Sequence, residues 1–240
     1  MTAVGRFSTR PLYLQVKDML VQRIAAGAWK PGAAIPNEIE LSRELGISVG
    51  TVRKALDEME SERLISRRQG RGTFVIDQTS TEQSLRFSNI RDADGLRIAG
   101  DTEACDIAPA AATEAEARQL QLRPGEPVFR LRRVRSHNNA PLAVETSTVP
   151  QSRFPGLSKE HDVSASIVVL AHHHGVLLAR AEEKLGVAAA TGDIAKALKV
   201  AEGTPLLTLD CIVYAIDGRP IEWRVAHCNL GDNQYYAEIN

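Results

Sequence analysis

A chain of 240 residues holds one or two domains at roughly 100–200 residues each. Its 43% hydrophobic and 25% charged residues are ordinary globular values, which excludes collagen-like, low-complexity and disordered classes. The formal net charge of −1 gives no overall attraction to a polyanion.

Taken in order, residues 1–6 have no apolar core, so no signal peptide is expected. Pro11 opens a first helix with Tyr13, Val16, Leu20 and Ile24 along one face; Gly27 and the turn at 30–32 end it. Asn37 is a good N-cap for a second helix, and Glu40 three residues later completes a capping box. Leu41 and Leu45 form its buried edge and Gly46 stops it. Ser48 caps a third helix, with Val52, Ala55, Leu56 and Met59 at helical spacing. Two apolar stretches, 64–65 and 73–76, flank a basic segment, 67–72, that holds two glycines where a hairpin must turn.

Helix, short turn, helix and then a basic hairpin is the plan of a winged helix-turn-helix. The first turns of the third helix (Ser48, Val49, Gly50, Thr51, Arg53, Lys54) are predicted to enter the major groove. Small residues there let the helix approach closely. Arg53 can fork onto a guanine edge or a phosphate, and Lys54 can reach the backbone. Arg67, Arg68 and Arg71 are predicted to lie along phosphates or in the minor groove. The competing reading is a three-helix unit that binds no DNA, with its basic run merely solvated.

Residues 77–84 carry nothing apolar and read as a linker between domains at 1–76 and 85–240. Divided there, the charge separates. Residues 1–78 carry 12 basic and 9 acidic residues, and residues 79–240 carry 17 and 21. A net of +3 beside −4 points to a polyanion-binding module joined to an acidic one.

The larger part alternates strands and helices. Thr113 caps a helix to Gln121, with Glu116 closing a capping box. Strands are expected at 128–135 and 141–149, with Asn138 and Asn139 turning between them. A helix is expected over 164–174, a strand over 177–185, a short helix over 193–199, and a last hairpin from 206–216 and 221–228. Hairpins with a few helices suggest an antiparallel sheet in an α+β fold.

Phe129, Leu131, Arg133 and Arg135 share a strand face by period two. Arginines beneath an apolar face need an anion, from the protein or from a ligand. A two-residue turn at 138–139 pairs Arg133 with Val144; a three-residue turn pairs it with Glu145. An internal salt bridge and a ligand contact are both open for that pair. His172, His173 and His174 point about 100° apart on a helix and cannot converge on one ion, so no metal is expected. They suit a helix C-terminus as cations. The run at 167–171 is far short of the roughly 20 apolar residues that cross a bilayer. Cys105, Cys211 and Cys228 are too few and scattered for a disulfide framework. They are expected to be reduced thiols in a cytoplasmic protein, the last two as buried filler or a redox pair.

Residues 11–16, 30–32, 35–38, 50–56 and 67–75 resemble, in unbroken order, a GntR-family winged helix-turn-helix. Two positions depart from the family pattern: Ile39 and Val49 stand where many members carry arginine, so Val49 packs on a thymine methyl in this reading. Residues 133–135, 141–145, 203–207 and 217–222 resemble the UTRA effector domain of the HutC subfamily, which is similar in fold to chorismate lyase. The resemblance implies a dimeric bacterial regulator, a repressor by family habit, on a palindromic double-stranded DNA operator. It is no enzyme and needs no cofactor, and it works on nucleoid DNA in the cytoplasm. It implies DNA contacts from Asn37, Glu38, Ser48, Val49, Gly50, Thr51, Arg53, Lys54, Arg67, Arg68, Gly70 and Arg71. It also implies a small anionic or polar metabolite near Arg133, Arg135, Glu145 and Glu222, with Ser88 and Ser166 near a phosphate or carboxylate end.

Overall fold

The computed structural model describes residues 10–77, 85–157 and 166–238. The chain divides into two compact units at Gln78 and Thr79, at the edge of the polar stretch 77–84. Most of that stretch, and the expected helix start at Ser164, lie outside the described residues.

In the first unit, α1 (Leu12–Ala25) follows Pro11. Its buried stripe is Val16, Lys17, Leu20 and Val21, while Tyr13 and Ile24 are only half-buried. Lys17 enters that stripe because its Nζ reaches Glu62 Oε1 at 2.7 Å, so a cation replaces the expected apolar contact. α2 (Glu38–Leu45) carries the predicted capping box: the Asn37 side chain accepts from Ile39 and Glu40, and Glu40 accepts from the Asn37 backbone. It ends at Gly46 in the left-handed region (φ +65°). α3 (Val49–Ser61), capped by Ser48, buries Val52, Ala55, Leu56 and Met59, as its spacing predicts.

The wing is β2 (Ile65–Arg68) against β3 (Gly72–Val75). Arg67 and Arg68 belong to the strand, so the turn is only residues 69–71, with Gly70 at φ +68°. β1 (Ala34–Ile35) adds a third strand on β3. Two residues carry no periodicity, so the pattern could not announce it.

The second unit is built on an antiparallel six-stranded sheet of order β6-β7-β8-β11-β10-β9. Its members are β6 (Asp101–Ala111), β7 (Pro127–His137), β8 (Ala140–Pro150), β9 (Leu178–Ala189), β10 (Pro205–Ala215) and β11 (Pro220–Cys228). β4 (Ile90–Arg91), β5 (Arg97–Ile98) and β12 (Gln234–Tyr235) make a small second sheet. The sequence reading missed β6. Its alanines, acids and Pro109 have low strand propensity, and proline is tolerated there because β6 is an edge.

α4 (Glu114–Leu120) and α6 (Gly192–Leu198) cover one face of the sheet, packing on Val128 and on Val144 with Leu206. α5 (Ile167–His173) covers the other face, over Phe129, Leu131, Val149 and Val213.

The β7–β8 register combines the two expected alternatives. Asn138 and Asn139 (φ +51° and +63°) make the two-residue turn, pairing His137 with Ala140 and Ser136 with Pro141. A bulge then inserts Leu142, so Arg135 faces Ala143 and Arg133 faces Glu145. The Leu142 side chain is buried and its carbonyl accepts from Asn229 N at 2.9 Å, which fixes the extra residue.

Candidate nucleic-acid interface and effector cleft

The predicted DNA-reading groups sit on the first turns of α2 and α3 and on the wing. Asn37 and Ser48 are exposed but engaged as caps: Ser48 Oγ accepts from Thr51 N at 3.1 Å and lies 2.8 Å from Thr51 Oγ1. Val49 and Thr51 are half-buried at the start of α3, and Gly50 between them is exposed.

The cations here are largely paired. Arg53 donates from Nε to Glu38 Oε2 at 2.9 Å, and its Nη2 lies 2.9 Å from the same oxygen. That partner raises the Arg53 pKa. Lys54 Nζ sits 4.1 Å from the centre of the Tyr13 ring, and Arg68 lies over Phe74 at 4.8 Å.

Arg67 makes the most contacts within the chain of these cations. It bonds Asp57 at 2.5 Å, Glu60 at 3.4 Å, Glu38 at 3.5 Å and the Arg53 carbonyl at 3.4 Å. It is a strut between wing and recognition helix, drawn inward by three carboxylates on α2 and α3 that no local pattern brings together. Arg71, at the wing tip, is exposed.

In the second unit, period two places Arg133, Arg135, Glu145, Glu222, Arg224 and Glu183 on the face that α5 covers. Arg133 is 2% exposed, Arg135 8% and Glu145 6%. Arg135 gives Nε and Nη2 to Glu145 Oε1 at 3.1 and 2.9 Å and Nη1 to Thr102 at 2.6 Å. Arg133 Nη1 reaches Glu145 Oε1 and Ser147 Oγ, both at 3.3 Å. The internal salt bridge is thus formed. Burial pushes the Glu145 carboxyl up, but Arg135, Arg224 and Arg133 outweigh it and hold the pKa below its ordinary value.

A small cleft of ≈ 60 Å³, open to solvent at its mouth, lies beside this cluster. Of the expected effector residues it is lined by Ser88, Arg135, Glu145 and Ser166. Arg133 and Glu222 are not among its lining residues: Arg133 stands behind Glu145, and Glu222 is 1% exposed beneath Arg224 at 3.9 Å. Ser88 Oγ donates to the Ile98 carbonyl, whereas Ser166 Oγ is buried with no hydrogen-bond partner among the described residues. An unpartnered hydroxyl facing a cleft is available to a ligand.

The sequence reading missed Arg224, Glu183 and Asn89 in the lining. Arg224 donates to the Phe87 carbonyl at 3.3 Å, and Glu183 accepts from Tyr235 at 2.6 Å and Asn89 at 3.3 Å. Arg224 had a signal, since it shares a period-two face with Glu222, Ala226 and Cys228. Cys211 and Cys228 are free and buried, and burial pushes both thiols up to about 12. Cys211 faces Arg224 and Cys228 faces Leu207, so they are not directly opposed. They fit the apolar-filler reading.

A winged helix in one unit and a polar cleft in the other define a transcription regulator with a separate sensor. The profile of the bacterial regulatory proteins of the gntR family matches residues 12–75, and that of the UTRA domain matches residues 97–231. The chain belongs to the GntR family of transcription regulators, in its UTRA-domain branch. Such regulators bind DNA through the first domain and small-molecule effectors through the second. The chain is 26% identical over 227 residues to the mannosyl-D-glycerate transport/metabolism system repressor MngR of Escherichia coli, covering 94% of this chain and 95% of that one. It is 29% identical over 221 residues to the transcriptional repressor NagR of Bacillus subtilis, covering 91% and 90%. The crystal structure of PhnF from Mycobacterium smegmatis superposes with a TM-score of 0.55 at 26% identity, covering 94% of this chain and 99% of that one.

Proposed function

We propose that this chain is a metabolite-responsive repressor that binds a palindromic operator as a homodimer and is released by a small anionic or polar effector held in the cleft. It acts without a cofactor, on chromosomal DNA in the cytoplasm. The observation that carries the reading is a winged helix and a polar, partly unsatisfied cleft in separate units of one chain. Two repressors, MngR and NagR, align over nine-tenths of its length, which supports the sign of regulation. The DNA-binding unit has a net charge of only +3, so one copy binds non-specifically with low affinity, and two half-sites supply the rest.

The effector acts by population shift. It favours a dimer geometry in which the two recognition helices no longer match successive major grooves. Selection of duplexes from a random library by the full-length chain tests the reading, with sedimentation of the complex to give its stoichiometry. An inverted repeat bound by two chains is expected. Enrichment of no sequence, or a one-to-one complex, overturns it. A thermal-shift screen of sugar phosphates, amino sugars and amino-acid catabolites then tests the cleft. The expected hit stabilises wild type and dissociates the operator complex.

A further inference from the structure

We infer that this chain selects its operator through thymine methyl groups packed on Ile39 and Val49, and not through guanine read by arginine. The inference rests on the DNA-binding reading above and adds to it the chemistry of the half-site.

The major groove offers two features of opposite kind. Guanine shows only acceptors and is read by a forked cation, whereas thymine shows a C5 methyl that is read by apolar contact. Apart from Arg71 at the exposed wing tip, the cations that could fork here already have partners within the chain. Both Arg53 nitrogens that lie in reach use Glu38 Oε2. Arg67 is held by three carboxylates and a carbonyl. Lys54 sits on Tyr13 and Arg68 on Phe74.

The same surface presents two apolar groups, Ile39 exposed and Val49 half-buried. Ile39 is 54% exposed, on the first turn of α2 beside the Glu38 that pairs with Arg53. It contributes only its backbone N–H, to the Asn37 cap. Val49 opens α3. Gly50 follows it inside a helix, where glycine costs about 1 kcal/mol against alanine. Among the described residues nothing requires that glycine: a Cβ there would meet only Ser48 Oγ, at 3.9 Å, and the backbone φ is not positive. A helix surface kept this low serves close approach from outside, which methyl contact needs.

The test uses the duplexes enriched by the full-length wild-type chain. Each thymine is replaced singly by deoxyuridine, which removes one methyl and keeps every hydrogen bond. Loss of one buried methyl weakens binding about four-fold, and loss is expected at one or two positions per half-site, multiplying when both half-sites are changed. Replacing such a T·A pair by 5-methylcytosine·G restores the methyl, and is expected to bind better than cytosine·G. Ile39→Ala, at an exposed site, and Val49→Ala are expected to remove the sensitivity to deoxyuridine. Binding unaffected by deoxyuridine at every position, or a guanine whose recognition is lost on Arg53→Ala, overturns the inference and leaves DNA binding standing. Enrichment of no sequence overturns the DNA-binding reading itself.

Discussion

Glu116 allows a quantitative prediction about the effector domain. Its carboxylate accepts from Arg130 at 2.6 and 2.8 Å, from Thr113 N at 2.7 Å and Oγ1 at 2.9 Å, and from Thr148 at 3.0 Å. It therefore ties α4 to β7 and β8, whose other face carries Arg133 and Glu145. The Arg130 guanidinium is the main cause that holds this carboxyl at about 2, against an ordinary 4.5. Such a drop corresponds to about 3 kcal/mol of stability at neutral pH. Arg130 is 38% exposed, and screening there reduces the expected figure to about 2 kcal/mol.

Because the folded chain holds this proton more weakly than the unfolded chain, the contribution is complete above the ordinary carboxylate range. It is lost as pH falls through 4.5 toward 2. Glu116→Gln removes it at neutral pH. Urea unfolding of wild type and Glu116→Gln, followed by circular dichroism, is expected to show a gap of about 2 kcal/mol at pH 7, narrowing by about 0.8 kcal/mol at pH 4. Equal stabilities at pH 7, or a gap that stays constant or widens on acidification, would refute the reasoning.

Three further outcomes are expected. Glu145→Ala leaves two buried guanidiniums without their shared carboxylate and should destabilise the effector domain by about 3–5 kcal/mol in denaturant unfolding; Glu145→Gln keeps an acceptor and should cost less. Arg67→Ala should weaken operator binding while leaving its salt dependence unchanged, because Arg67 braces the wing; Arg71→Ala should lower the slope of log affinity against log salt by about one. Gly100 and Gly95 both have positive φ (+73° and +78°), but a Cβ on Gly100 would lie 2.8 Å from the Ser136 carbonyl oxygen and one on Gly95 would meet nothing within 4 Å. Thermal unfolding should therefore show Gly95→Ala losing about 1–2 kcal/mol from strain alone, and Gly100→Ala losing clearly more.

Local chemistry was enough wherever it acts over one turn or one strand. The Asn37–Glu40 and Thr113–Glu116 capping boxes, the stops at Gly46 and Gln121, and the buried spacing of α3 all follow from contacts within four residues. The family and both of its domains were legible for the same reason, since their motifs are contiguous. That Arg133 and Arg135 share one side of their strand was also readable, from period two alone, whereas the pairing of the strands put Glu222 on the same face.

Tertiary structure decided what depends on partners distant in sequence. The Leu142 bulge, held by Asn229, set Arg133 against Glu145 although the turn has only two residues. Glu62 drew Lys17 into the core of the first unit, and Asp57 and Glu60 tied Arg67 of the wing to the recognition helix. Strand β6 formed because β7 offered it an edge, not because its own residues favour extension. In each case a charge or backbone partner more than a turn away outweighs a local preference of less than about 1 kcal/mol. A buried ion pair or a strand ladder exists only once the chain has folded.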